Sequence, residues 1–324
     1  MRVQRYWLVF VALPLASATS TIAPAQAPGP SGAASGAAST PDFSGIWAHP
    51  YVPGFEPPPS GAGPVVNKSR TRQIFGDDGR PLRPTNNVLV SNGRQLVGDY
   101  TNPILKAEAA EVVKKHGEVS MAGVAYPTPS NQCWPGGVPF VFWNFGMKML
   151  QQINKITIIY TYNHEFRQVR MNEPHLPQET PSWYGDSVGH YEGDTLIIDT
   201  VGVRVGPFAM VDQYGTPHSG ALHVVERYRL LDYEAAKEGW ERNAKENFRI
   251  PSSDVSAEVD LSYMGKSLQL QFTVEDEGVF TMPWSATITY RRTLNESMEI
   301  VCAENTRESG QWVRQVPQAA KPDF

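Results

Sequence analysis

Two blocks of this chain gather ionisable side chains into strand-like sequence. The first runs Trp183-Tyr184-Gly185-Asp186-Ser187-Val188-Gly189-His190-Tyr191-Glu192-Gly193-Asp194-Thr195-Leu196-Ile197-Ile198-Asp199-Thr200 and is rich in carboxylates. The second, Pro217-His218-Ser219-Gly220-Ala221-Leu222-His223-Val224-Val225-Glu226-Arg227, adds two histidines, a glutamate and an arginine. A charge that a strand turns inward must be paired or neutralised, so polar strands of this kind line something. A histidine near its free pKa beside a carboxylate moves protons at neutral pH, and an arginine holds a developing anion or a carboxylate. His218 and His223 are therefore the proton-transfer candidates, Asp186 the orienting partner and Arg227 the anion holder, with Glu226, His175, Tyr191, Trp143 and Trp183 as candidate binding residues. This equipment suits enolisation, elimination, hydration or hydrolysis through an activated water. No Gly-x-Ser-x-Gly elbow is present, and Ser187 and Ser219 read as turn and capping hydroxyls, which turns the reading away from a covalent nucleophile.

The same residues admit plainer roles. Asp186, Asp194 and Asp199 fit turns in which aspartate bonds its neighbouring backbone. Along a strand His223 and Arg227 share one face while Glu226 points to the other, so a Glu–Arg network bracing a sheet would use Glu226 without any substrate. The same alternation keeps His223 and Glu226 from converging with His218 on a metal unless a bulge intervenes, and no metal or cofactor is expected. Trp134, Phe140, Phe142, Trp143 and Phe145, interleaved with Gly136, Gly137 and Gly146, read either as a plug packed into the end of the domain or as an apolar lid over a ligand pocket.

These residues need a scaffold, and the scaffold is β. Ile156–Tyr162, Phe166–Met171, Thr195–Val201, Leu222–Leu230, Ser267–Val274, Ser285–Arg292 and Met298–Cys302 are β-branched or aromatic runs with period-two character. Glu192-Gly193-Asp194 supplies a hairpin turn between Ser187–Tyr191 and Thr195–Val201. A helix is expected from Asn102-Pro103 to His116-Gly117, and a helical insertion at residues 232–250. No helix alternates regularly with the strands, which argues against a doubly wound sheet. The expected class is mainly β: an antiparallel β-barrel or curved sandwich over roughly residues 150–305, calycin-like, with one or two peripheral helices.

The N-terminus has the three regions of a secretory signal: Arg2 and Arg5, the apolar run Tyr6–Ala16, and the small-x-small site Ala25-Gln26-Ala27. Residues 1–27 are read as that signal, residues 28–40 as a flexible tether rich in Gly, Ala, Ser and Pro, and residues 41–324 as one β-rich domain with an irregular wrap over 41–132. A net charge of -5 without a Lys/Arg run excludes the basic face that nucleic acid demands. Nothing marks a membrane partner once the signal is removed, and the oligomeric state is not legible. The two cysteines, Cys133 and Cys302, are even in number in an exported chain, so a disulfide between them is expected, in the periplasm or outside the cell.

The opening Gly45-Ile46-Trp47 resembles the first strand of lipocalin-like (calycin) barrels. More of the chain resembles a widespread family of uncharacterised exported bacterial proteins. The shared pattern appears here as Cys133-Trp134-Pro135-Gly136-Gly137-Val138-Pro139, the two polar blocks, Pro283-Trp284 and Cys302-Ala303-Glu304-Asn305. Tyr191 stands where the family usually has tryptophan, His190 where it has arginine, and Gly220 where an acidic residue is common; the insertion around Tyr233–Gly265 is also atypical. The resemblance implies export but no particular activity. The expected function is an exported cofactor-free lyase, isomerase or hydrolase acting by His/carboxylate acid–base chemistry on a small, largely apolar or aromatic molecule; the alternative is a non-catalytic binding protein for such a ligand.

Overall fold

In the computed structural model of the chain, the described residues are 40–49, 54–68, 96–122, 126–143, 146–161, 163, 165–178, 180–247, 262–293 and 302. Residues 1–27, expected to be a secretory signal, and nearly all of residues 28–40, expected to be a tether, lie outside them, as does the strand expected at Met298–Cys302 apart from Cys302 itself.

Among the described residues nine strands form one closed barrel. They are β1 (Gly45–Ala48), β2 (Gly146–Gln151), β3 (Lys155–Tyr160), β4 (Phe166–Met171), β5 (Asp186–Glu192), β6 (Thr195–Val201), β7 (His223–Leu231), β8 (Ser267–Glu275) and β9 (Trp284–Thr293), paired in chain order, with β9 returning to β1. Two helices accompany them, α1 (Ala107–Met121) and α2 (Tyr233–Asn247). The expected class, a β-barrel with peripheral helices, is what the chain forms.

Alternation explains the barrel. On β6 the buried positions Leu196, Ile198 and Thr200 face in while Thr195, Asp199 and Val201 face out. Registered partners share a face, so Ile198 lies beside Glu226 and Glu226 beside Phe272. The inward set includes Met147, Met149, Ile158, Val169, Leu196, Tyr228, Leu270, Phe272 and Ile288, all buried; each large apolar side chain removed from water contributes about 1.5–3 kcal/mol. The interior is filled by side chains. Phe142 enters it as well, with its ring centroid 5.1 Å from that of Phe272, so this part of the aromatic run plugs the barrel. Trp47 is 1% exposed and donates its Nε1–H to the Phe43 carbonyl at 2.9 Å. Gly45 before it has φ +140° and abuts Arg292, a backbone state that a larger residue rarely adopts.

The tight hairpin between β5 and β6 matches the expected turn, with Gly193 at φ 61° as the first of two loop residues between paired Glu192 and Thr195. Three expectations need correction. The strand β2 lies before the region read as strands, because Gly146 and its Met and Lys neighbours carry little β signal yet pair with both Trp47 and Tyr160. The helix α1 starts at Ala107, not at Pro103, because Ile104–Lys106 run extended against Val279–Thr281: the Lys106 N–H donates to the Val279 carbonyl and the Thr281 N–H to the Ile104 carbonyl. Finally, the sheet is not antiparallel throughout. The strands β4 and β5 run parallel, joined through Val169↔Ser187, Arg170↔Val188 and Met171↔Gly189. A parallel neighbour requires the chain to travel back along the barrel between strands, and the described residues of 172–185 make that crossover without a helix.

The pairing of Cys133 with Cys302 is present, closing a sequence separation of 169 residues. Such a bond fits an oxidising compartment. Among the described residues no helix is long and apolar enough to cross a membrane.

Candidate functional site

Outward positions of consecutive strands put ionisable groups side by side. Arg170 on β4, Asp186 on β5, Asp199 on β6, His223 on β7 and Glu275 on β8 form a diagonal belt across the outer face of the barrel, and His175 from the crossover drops into it. Arg170 binds both oxygens of Asp186 at 2.8 and 3.0 Å and also reaches Glu173 at 3.0 Å. His175 places Nδ1 3.0 Å from Asp186 and Nε2 3.0 Å from Asp199. On the other side of Asp199 lies His223, with Nε2 at 3.0 and 3.1 Å from its two oxygens and Nδ1 3.3 Å from Glu275. With a carboxylate on each ring nitrogen, a histidine satisfies both only when both nitrogens carry protons.

The electrostatics agree for His223. The hydrogen bond and charge of Asp199, helped by Glu275, raise its pKa to about 9, against a smaller opposing effect of burial. Burial works against ionisation of Asp186, yet the Leu176 N–H, Arg170 and His175 hold its carboxyl below the usual range. Asp199 is likewise partly buried and held low by His223 and His175. The belt is a self-satisfied set of alternating charges. Its evident mechanical effect is to fasten the crossover to the barrel wall.

That crossover carries Trp183, and Trp183 borders a narrow cleft lined also by Trp134, Phe208, Arg204 and His218. The indole of Trp134 meets that of Trp183 edge-on at 5.2 Å and the Phe208 ring at 5.4 Å. The cleft's other wall is the loop before β7. Its anchor is Asp276, which accepts hydrogen bonds from the Ser219 N–H and Oγ–H, each at 2.6 Å, and from the Gly278 N–H at 2.9 Å. His218 is only 8% exposed. Its Nδ1 lies 3.1 Å from the Ser219 carbonyl oxygen, which can only accept, so Nδ1 carries the proton and Nε2 keeps its lone pair. Nε2 has no partner among the described residues. Burial pushes the His218 pKa below its ordinary value, which favours the uncharged, proton-accepting ring.

The expected convergence of His218, His223 and Asp186 is thus only partly realised. Asp186 and His223 share the belt, but His175 and Asp199 stand between them; the register sets Asp186 opposite Val201 and Val188 opposite Asp199, which puts both aspartates on one outer face. His218 belongs to the cleft and contacts neither. Arg227 points outward and is exposed, one step along β7 from the paired Arg229 and Asp194. Glu226 faces the interior, as alternation requires, and its partner is Arg167 of β4 at 2.6 Å, the two side chains being 0% and 1% exposed. Tyr228 Oη–H donates to the other Glu226 oxygen at 2.8 Å. This buried knot, with Tyr160 3.4 Å from Arg167, braces the barrel from within. Tyr191 stacks with Phe43 at 6.4 Å, and Trp143 packs edge-on against Phe140 at 5.8 Å, so neither reaches the cleft. Of the binding candidates, Trp183 does. Asp199, read from the sequence as a turn aspartate, sits at the centre of the belt; its outward position on β6 was deducible from strand alternation, its place beside His223 only from the register of β6 and β7. Arg204 carried no local signal.

No family model, curated protein or solved structure matches the chain.

Proposed function

We propose that this protein is an exported enzyme that acts on a small aromatic or apolar molecule at the Trp134–Trp183–Phe208 cleft, with His218 as the general base. The observation that carries the reading is the state of His218. It is a buried imidazole with its Nδ1 directed at the Ser219 carbonyl and no partner for Nε2 among the described residues, set among aromatic walls. Such a group abstracts a proton from a bound substrate or from a water held beside it, which serves elimination, isomerisation or hydrolysis. The belt acts at one remove, holding the crossover and with it Trp183. The motif resemblance and the disulfide support an assignment to the family of exported bacterial proteins and to the periplasm or exterior.

The test is turnover of a panel of small aryl esters, aryl lactones and β-hydroxy aryl ketones by the parent and by His218→Gln. The parent's rate on an accepted compound should rise with pH through an inflection below 6.5, the free histidine value. In His218→Gln the rate should fall by roughly 10²–10⁴ while affinity stays near the parent's. An unchanged rate in the variant would refute His218 as the base. A non-catalytic carrier is the second reading, favoured by the engagement of Asp276, the carboxylate that anchors the His218 loop, with Ser219 and Gly278. Saturable binding without turnover across the panel would establish it.

A further inference from the structure

The lining of the cleft carries one arginine, one histidine and no carboxylate. Arg204 follows the end of β6, and its N–H donates to the Ser182 carbonyl at 2.8 Å, which pins its backbone to the crossover. Its guanidinium lies 5.0 Å from the centroid of the Trp183 ring. The side chain is exposed and makes no ion pair or hydrogen bond among the described residues. Elsewhere in this acidic chain of net charge -5, Arg167, Arg170 and Arg229 each hold a carboxylate. Arg204 holds none among the described residues, although it is positioned by both the main chain and an aromatic face.

Two further observations lie in the same place. His218, 8% exposed, leaves its Nε2 unpartnered at this cleft. Gly206 lies against both indoles: a Cβ there would sit 3.6 Å from Trp183 Cζ3 and 3.7 Å from Trp134 Cζ3. A larger side chain at 206 would therefore crowd the edges of both rings.

We propose that the cleft binds a small planar aromatic carboxylate, its ring against Trp134, Trp183 and Phe208 and its carboxylate on Arg204. The inference rests on the cleft being the ligand site, as argued above, and adds the charge and shape of the ligand. A guanidinium stacked on an indole keeps its edge N–H groups free, and that edge matches a carboxylate in a two-point hydrogen bond. An uncharged ring would use only the aromatic walls, and an aliphatic acid only the arginine; the pair together selects a ring bearing an acid. The cleft as a whole encloses only about 10 Å³, room for one water, so the ring is placed at its mouth. The three aromatic residues are half-buried rather than enclosed, so the ligand's ring stacks on their open faces. With the carboxylate on Arg204, His218 Nε2 is the base left to act on a substituent of the ring.

Isothermal titration of the full mature chain with benzoate, benzamide and acetate tests this. Benzoate should bind saturably, benzamide on the order of tenfold more weakly or worse, and acetate without saturation. Arg204→Gln should bring benzoate down to the benzamide value and leave benzamide unchanged, whereas Gly206→Leu should weaken both. The melting temperature of each variant shows that the fold is retained, and Arg204→Gln, at an exposed position, should keep that of the parent. Equal affinity of the parent for benzoate and benzamide, or a benzoate preference that survives Arg204→Gln, would overturn the anion assignment while leaving the aromatic cleft intact. Absence of benzoate and benzamide binding alike would overturn both the inference and the cleft as the ligand site.

Discussion

His223 offers a test of the belt that can be worked through in numbers. Its pKa is raised from 6.5 to about 9 by Asp199 and Glu275. A group with a raised folded-state pKa stabilises the fold fully below its unfolded value, here 6.5, and loses that contribution as pH rises through the folded value, here about 9. A tenfold change in proton affinity is worth about 1.4 kcal/mol, so the whole difference would be about 3.4 kcal/mol. His223 and Asp199 are 31% and 36% exposed, and solvent screening at such a site reduces the contribution to about 1–2 kcal/mol. At the acid end the sign reverses: Asp199 and Asp186, held below 3.8, stabilise above that value and lose their contribution as pH falls through their lowered pKa. Urea unfolding of the parent and of His223→Gln at pH 6, 8 and 10 isolates the histidine, because the carboxylates coupled to it stay ionised over that range. The difference between them should be largest at pH 6 and shrink by about 1–2 kcal/mol by pH 10. Parallel pH profiles would show that His223 is not held as an imidazolium in solution, and the account of the belt would fail with it.

Other consequences are open to measurement. Glu226→Gln leaves Arg167 charged and buried beside a neutral amide, and should lower the unfolding free energy by about 3–5 kcal/mol in urea titration; a loss below 1 kcal/mol would mean that the pair is hydrated in solution. Reducing Cys133–Cys302, whose loop spans 169 residues, should remove about 5 kcal/mol in the chain-entropy model, and thiol titration of the unfolded, unreduced protein should find no free thiol. Asp199→Asn takes the central carboxylate from both His175 and His223, so protease cleavage within residues 172–185 should become faster than in the parent; equal rates would show that the crossover is held by other contacts.

Period-two alternation made most of the barrel readable. It delimited β4 and β6, found the β5–β6 turn at Gly193, and set Glu226 and His223 on opposite faces. What it could not supply was pairing at a distance. Arg167 and Glu226 are 59 residues apart, and nothing near either names the other. The strand β2 was missed because its methionines and lysine are ordinary in helices and loops; tertiary pairing with β1 and β3 decides its conformation. The belt was half legible: Asp186, His175 and His223 stood out as ionisable residues in unusual company, but the central place of Asp199 follows from the registers of β5, β6 and β7 together. The cleft depends on the crossover, and the crossover on the parallel pairing, which sequence patterning does not encode.

That parallel pairing has a simple origin in parity. A ring of strands that alternate up and down closes on itself only if their number is even; with nine, one neighbouring pair must point the same way. This barrel puts its single mismatch between β4 and β5. An even ring could have joined those strands by a short hairpin and left its outer wall bare. The odd strand instead obliges the chain to climb back over the outside, and that climbing segment delivers His175 to the belt and Trp183 to the cleft. The belt and the cleft follow from the odd count, so a variant barrel that gained or lost one strand would have no need for the segment that builds them.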